Sequence, residues 1–229
     1  MAYYLIHCCN KRFTYVKTYL IPTMLEQGIP ADNIFVYRDY NEIGNLRAFV
    51  DSCNRLVTQC EKANISGVWH LQDDVIISED FAKKTELYDN GIVCAFTCAY
   101  DKKPEEGYFQ IFQGKMWYSF PCMRIPTNLL REFVDWANGN LWQSKYFRSL
   151  VKRNNSDDLV FKEWITDNYP DMTHLNLAPN LVNHVDKYLG GSICNKHRDK
   201  EQDTMSIFWE DKGELQKFMR FALDNKLNI

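Results

Sequence analysis

The feature that most constrains the fold of this chain is an alternation of short apolar runs with helical periodicity over its first hundred residues. Apolar runs at 2–8, 33–37 and 67–71 predict buried strands, because short continuous runs of this kind are typical of them. Residues 12–27 and the segment that begins at Asn45 repeat apolar side chains every three or four positions, which predicts two helices. Strands that alternate with helices indicate an α/β fold with a doubly wound, mostly parallel sheet and helices on both faces.

The remaining sequence extends the same pattern without a repeat or a linker rich in Pro, Gly or Ser. With 229 residues, 45% of them apolar, the chain is predicted to fold as one domain. Further strands are predicted at 91–100 and 108–116, helices at 127–137, 157–168 and 214–225, and an extended segment at 175–184.

Charge and composition exclude several classes of protein. With 27 basic and 30 acidic residues the net charge is −3, so there is no global basic field for nucleic acid, although a local patch stays open. The sequence shows neither a signal peptide nor an apolar run long enough to span a membrane, so we expect a cytoplasmic protein without membrane contact. Most of the eight cysteines lie in apolar segments, which favours reduced core thiols over disulfides.

The sharpest local feature is Gln72-Asp73-Asp74, which directly follows the predicted strand at 67–71. In open α/β sheets ligands bind at the carboxyl ends of the strands, and this is where the two carboxylates fall. Adjacent carboxylates repel each other, and a divalent cation such as Mg²⁺ or Mn²⁺ would relieve that repulsion. The alternative is a turn in which Asp73 caps the next segment and Asp74 is solvated.

Two later segments carry groups of matching chemistry. His184 follows an apolar stretch, and a neutral imidazole can bind Mn²⁺ or donate to a phosphate; it could equally be a core histidine. Asp157 and Asp158 open a predicted helix, where acidic residues favour the helix dipole. Because one cap does not need two carboxylates, the other could act as a general base.

In their order, these segments resemble the GT-A class of nucleotide-sugar glycosyltransferases over residues 2–192. The run 71–75 is similar to the acidic motif of that class, except that Gln72 stands at its first acidic position. The run 179–184 resembles the segment whose histidine supports the metal or the diphosphate. The run 156–158 is similar to the acidic helix start that supplies the base of inverting members.

The resemblance implies a GT-A-like fold and transfer of a sugar, with inversion, from a nucleoside diphosphate sugar such as a UDP-sugar to an acceptor hydroxyl. Asp74 and His184 would hold Mn²⁺ or Mg²⁺, and Asp157 or Asp158 would remove the acceptor proton. The implied organisation is a single domain over 1–229, with a nucleotide-sugar half (1–100), an acceptor half (101–200) and a C-terminal helical segment (201–229).

The same resemblance places the donor over the first strands and the acceptor beyond the central ones. Residues expected to bind the nucleotide sugar are His7, Asn10, Arg38, Asp39, Asn45, Arg47 and Asp73. Residues expected near the acceptor are Trp117, Tyr118 and Arg124, with the basic and aromatic stretch 142–153 as a lid, a nucleic-acid contact or a solvated loop. The acceptor could be a saccharide or a hydroxymethylated base in viral DNA.

Two alternatives stay open. A nucleotidyltransferase would need a glycine-rich phosphate loop after the first strand, and residues 7–12 contain no glycine. A non-catalytic binding protein on a degenerate glycosyltransferase fold is kept in consideration by Gln72, which weakens the acidic motif.

Overall fold

The computed structural model describes residues 2–41, 43–96, 110–113, 120–141, 157–177, 179–190 and 211–227. Nine strands lie in this part of the chain: β1 (Tyr3–Cys9), β2 (Ile34–Asp39), β3 (Gly67–Gln72), β4 (Val75–Ile77), β5 (Ile92–Cys94), β6 (Gln110–Gln113), β7 (Cys122–Pro126), β8 (Thr173–Asn176) and β9 (Val182–His184).

Six helices accompany them. The first, α1, is continuous through Phe13–Tyr15, Val16–Leu20 and Ile21–Glu26, and its middle part is π-helical. The others are α2 (Asn45–Lys62), α3 (Phe81–Thr85), α4 (Thr127–Trp136), α5 (Asp157–Asn168) and α6 (Lys212–Asp224). The part of the chain that the structure describes has no helix long and apolar enough to cross a membrane.

Seven strands form one sheet in the order β2-β1-β3-β7-β5-β8-β6. The pairs β1–β2, β1–β3 and β5–β8 are parallel, whereas β7 is antiparallel to both of its neighbours and β6 is antiparallel to β8. Five strands therefore run in one direction and two run against them. The α/β class and the mostly parallel sheet are confirmed, and β7 is inserted between the two parallel groups. A separate two-stranded sheet joins β4 to β9.

Helices cover both faces of the sheet, as predicted. Helices α2, α4 and α5 pack on one face through residues such as Phe49, Phe133 and Phe161. Helices α1 and α6 and the β4–β9 sheet pack on the other, through residues such as Leu20 and Phe218. Because both faces are covered, β1 and β3 are apolar almost throughout and do not alternate with polar residues.

The predicted elements agree with the observed ones with small shifts. The helix predicted at 12–27 begins one residue later, because Asn10–Arg12 form a 3₁₀ turn before it. The extended segment at 175–184 is two strands, β8 and β9, that belong to different sheets. The strands predicted at 91–100 and 108–116 are observed as β5 and β6. Gly91, Ala95 and Phe96 are described but lie outside β5, and the remaining residues of the two predictions lie outside the described part.

Candidate functional site

Three neighbouring parallel strands end at the same edge of the sheet. In the β1–β2 pairing Cys9 lies opposite Asp39, and in the β1–β3 pairing His7 lies opposite Gln72. The turn that carries Asp73 and Asp74 therefore begins beside the end of β1. This is the edge at which ligands bind in open α/β sheets.

Asp73 and Asp74 are both buried, and a cation lies between them. The Cys9 backbone N–H donates to Asp73 Oδ2 over 2.7 Å. The Arg12 guanidinium donates from Nη1 to Asp73 Oδ1 over 3.0 Å and, from the same nitrogen, to Asp74 Oδ2. Arg12 is itself buried, in the 3₁₀ turn between β1 and α1. The sequence analysis did not identify Arg12 as a site residue. The one indication in the sequence was that Arg12 follows directly after a strand that ends at this edge.

The β4–β9 sheet brings His184 to the same carboxylates. In its register Val75 pairs with His184, and the backbone N–H of Val185 donates to the Asp74 carbonyl over 2.8 Å. His184 Nε2 consequently lies 2.9 Å from Asp74 Oδ1, and His184 Nδ1 lies 3.7 Å from Asp186 Oδ1. At this distance the two buried atoms form a direct ion-pair contact.

The charges of this cluster shift its proton affinities in opposite directions. Burial alone would raise the pKa of Asp74, but the positive charges of His184 and Arg12 outweigh it and hold that pKa below its usual range. Burial and the neighbouring Asp74 charge raise the pKa of Asp73. Burial opposes a charged His184, yet the carboxylates of Asp74 and Asp186 outweigh burial and raise its pKa. Asp74 therefore favours its ionised form.

These donor atoms do not fit a resident divalent metal. Among the described residues no group of three or more His, Cys, Asp or Glu side chains is arranged to hold a metal ion. Both Asp73 oxygens and one Asp74 oxygen are already engaged by Arg12 and by the Cys9 backbone. Asp74 and His184, the two predicted ligands, do meet each other, but the guanidinium of Arg12 stands where the cation was expected.

A second buried polar pair lies beneath this edge. His7 Nδ1 is 3.9 Å from Asp157 Oδ2, and both side chains are almost fully buried. Burial and the neighbouring Asp158 charge raise the pKa of Asp157 to about 7. Burial lowers the pKa of His7 to about 4, in spite of the charges of Asp39 and Asp74. Near neutral pH the pair therefore combines a neutral imidazole with a half-ionised carboxyl group.

Asp157 and Asp158 have different surroundings. Asp158 is exposed, and its Oδ1 accepts a hydrogen bond of 2.8 Å from the backbone N–H of Leu159 in the first turn of α5. Asp157 points inward, and its Oδ2 accepts no hydrogen bond from the described residues. Of the two carboxylates predicted as a base, Asp157 is the one held at the sheet edge, whereas Asp158 accepts a backbone hydrogen bond at the start of α5.

The predicted nucleotide residues from β1 to α2 form an aromatic and polar surface at the same edge. Arg38 donates from Nε to Asn10 Oδ1 over 2.8 Å, and its guanidinium carbon lies 4.1 Å from the centres of the Phe13 and Tyr40 rings. Asp39 is buried and accepts from the Ile43 backbone N–H over 3.1 Å, which shapes the turn before α2. Asn45 begins α2, and Arg47 stands exposed in its first turn.

The structure does not bring Arg124 to this edge. Its guanidinium is buried at the opposite end of β3, where it donates to the Gly91 carbonyl over 2.8 Å and to Ser66 Oγ over 3.0 Å, and also to the Asp89 carbonyl. The acceptor contact expected of Arg124 is thus replaced by contacts that hold two loops to β7. The other acceptor-region calls, Trp117, Tyr118 and the stretch 142–153, lie outside the described residues.

No protein-family model matches the chain, and no curated protein matches it. Among solved structures the chain is similar to "Crystal Structure of A197 from STIV", with 12% sequence identity and a TM-score of 0.43 over 79% of this chain and 83% of that chain.

Proposed function

We propose that this protein is a glycosyltransferase that moves a sugar from a nucleoside diphosphate sugar to an acceptor hydroxyl. The observation that supports this function best is the 2.9 Å contact between Asp74 and His184 at the carboxyl ends of β1 and β3, with Asp157 beneath the same edge. These three residues come from three distant parts of the sequence, and the resemblance to the GT-A class predicted that they act together.

The donor diphosphate is proposed to bind at His184. The His184 side chain is 18% exposed, whereas that of Asp74 is 7% exposed, so the imidazole is the more accessible partner of the pair. The carboxylates of Asp74 and Asp186 outweigh burial and raise its pKa, which favours the imidazolium, and a cation held in a buried site stabilises the negative charge that develops on a departing diphosphate. Asp74 and Asp186 orient the ring from two sides.

The nucleoside is proposed to lie over the ends of β1 and β2. Arg38 lies between the Phe13 and Tyr40 rings and is anchored by Asn10 in the turn after β1, so it holds in place the Tyr40 ring, which is 64% exposed. Planar surfaces of this kind suit stacking with a nucleobase. Because Arg38 is already held by three side chains, the surface is preorganised for a ligand.

Asp157 is proposed as the general base. Its carboxylate would take the proton of the acceptor hydroxyl while the acceptor oxygen bonds to sugar C1, and the bond from C1 to the diphosphate oxygen would break. The nucleoside diphosphate then leaves with the bonding electrons, and the sugar configuration inverts. With a pKa of about 7, Asp157 should give a rate that rises with pH and levels off above about 7.

Isothermal calorimetry with UDP, GDP and their sugar conjugates, with and without Mn²⁺, tests the donor site. We expect one nucleotide sugar to bind wild type, and His184→Gln to weaken that binding about tenfold, the loss of one charge-assisted contact. The matched control is Asp135→Asn, an exposed carboxylate on α4 whose side chain is 65% exposed. Failure of wild type to bind any of these nucleotides would refute the proposal.

A second assay separates an enzyme from the binding-protein alternative. Asp157→Asn keeps the shape of the side chain but cannot accept the acceptor proton. We expect this variant to bind the donor as wild type does and to lose transfer to saccharide and hydroxymethylated-DNA acceptors. If wild type binds the donor but transfers and hydrolyses nothing, the alternative of a binding protein on the same fold is favoured.

A further inference from the structure

The negative charges of Asp73 and Asp74 repel each other, and they also act on any ligand that binds at this edge. Asp73 is 6% exposed and Asp74 is 5% exposed, and they are neighbours in the chain. Two adjacent ionised carboxylates in such an environment are unstable unless a cation compensates them. In nucleotide-dependent sites that cation is often a divalent metal bound by one or two carboxylates and the substrate phosphates.

Here the compensating cation belongs to the chain itself. Arg12 Nη1 contacts Asp73 Oδ1 and Asp74 Oδ2, and the Arg12 side chain is 6% exposed. It bridges the two carboxylates, as a shared metal ion would. The pair favours the charged guanidinium, because both carboxylates raise the pKa of Arg12 against the cost of burial.

The position of Arg12 is fixed by the fold. The arginine lies in the 3₁₀ turn Asn10–Arg12 directly after β1, and the last residue of that strand, Cys9, donates its backbone N–H to Asp73. The turn that carries the acidic pair and the turn that carries the arginine are therefore tied by a main-chain hydrogen bond. Because this cation is a side chain of the protein, it cannot exchange with ions from the solvent.

A divalent ion would compete with this arrangement. The donor atoms that Arg12 and the Cys9 backbone leave uncovered are Asp74 Oδ1 and His184 Nε2, and these two already contact each other over 2.9 Å. With Arg12 in place, one Asp74 oxygen would carry the metal while the other carries the guanidinium, and the two positive charges would repel each other.

We propose that Arg12 is a permanent internal cation that replaces a divalent metal at the Asp73–Asp74 pair, so that ligand binding at this edge is independent of Mg²⁺ and Mn²⁺. Removal of the guanidinium should let the side chains of Asp73, Asp74 and His184 rearrange into a divalent-cation site that they do not form in its presence. This inference concerns the acidic pair alone and does not rest on glycosyl transfer.

The test is a titration with Mn²⁺ in the absence of nucleotide, followed through the paramagnetic resonance signal of the free ion. Wild type should bind Mn²⁺ weakly or not at all. Arg12→Gln should bind it at least tenfold more tightly, and the gain should vanish in the double variant Arg12→Gln with Asp74→Asn. Arg38→Gln is the matched control, an arginine at the same edge that contacts Asn10 and no carboxylate of the pair, and it should behave as wild type.

Arg12→Gln leaves two buried carboxylates without their guanidinium, which destabilises the folded state. If the variant is too unstable to titrate, thermal melting gives a second measurement. A metal that binds only the folded state stabilises it, so Mn²⁺ should raise the melting temperature of Arg12→Gln and leave wild type unchanged.

The proposal is overturned if wild type binds Mn²⁺ tightly and loses that binding in Asp74→Asn. It is equally overturned if Arg12→Gln gains neither Mn²⁺ binding nor Mn²⁺-dependent stability. Neither outcome bears on whether a nucleotide sugar binds, so failure of this inference and failure of the proposed function are distinguishable.

Discussion

Replacing Asp157 by asparagine should make the protein more stable, and increasingly so as the pH rises. The Asp157 carboxyl group is 3% exposed, and its Oδ2 accepts no hydrogen bond from the described residues. Burial is the largest cause that raises its pKa from 3.8 to about 7. Asparagine keeps the shape and the Oδ1 acceptor of the side chain while removing the ionisable group.

The sign follows from the protons bound in each state. Between pH 3.8 and about 7 the folded protein holds a proton on Asp157 that the unfolded chain has released. The stabilising contribution of that proton is complete below the unfolded pKa and is lost as the pH rises through the folded pKa. A shift of about three pKa units corresponds to about 4 kcal/mol in total, of which about 2 to 3 kcal/mol is lost between pH 5 and pH 8.

Urea unfolding followed by circular dichroism at pH 5 and at pH 8 measures this difference. The free energy of unfolding of Asp157→Asn minus that of wild type should be about 2 to 3 kcal/mol larger at pH 8 than at pH 5. His7 stays neutral in the folded state across this range, because burial lowers its pKa to about 4. Asp158→Asn, which alters the exposed neighbour, is the control and should show a much smaller change. A difference that is constant or shrinks towards pH 8 would refute the reasoning.

Two further predictions concern the opposite end of the sheet and the thiols. Gly67→Ala would place a Cβ atom 2.6 Å from Arg124 Cζ, so it should displace the buried guanidinium. Loss of the Arg124 hydrogen bonds should lower the free energy of unfolding, measured by urea unfolding, by about 1 to 3 kcal/mol. Nucleotide binding should stay unchanged. A variant as stable as wild type would contradict the assigned role of Arg124. Burial raises the thiol pKa of the buried cysteines among the described residues, which are Cys8, Cys53, Cys60, Cys94 and Cys122. Thiol-specific labelling of these five at pH 8, read by mass spectrometry, should therefore be slow in the folded protein and fast in urea. Rapid labelling of any of the five in the folded protein would count against the described core.

Much of the fold was predictable because it depends on local pattern. The strands β1 and β3 are continuous apolar runs, which predicts burial of both of their faces. Helix α2 repeats apolar residues at helical spacing, which predicts burial of one face. The place of Asp73 and Asp74 at the end of β3 follows from the same reasoning. The insertion of β7 between β3 and β5 did not follow, because strand order depends on contacts between distant segments.

Local sequence pattern is enough to predict the α/β class, the helices on both faces and an acidic pair at a strand end. The contacts of that pair depend on how distant segments meet in the folded chain. His184 reaches Asp74 because the register of β4 and β9 pairs Val75 with His184, which no local signal specifies. Arg12 reaches both carboxylates because the chain turns back towards β3 directly after β1. A carboxylate pair has the same local sequence whether its cation is a metal or a guanidinium, since compensation of buried charge depends on distances that only the folded chain sets.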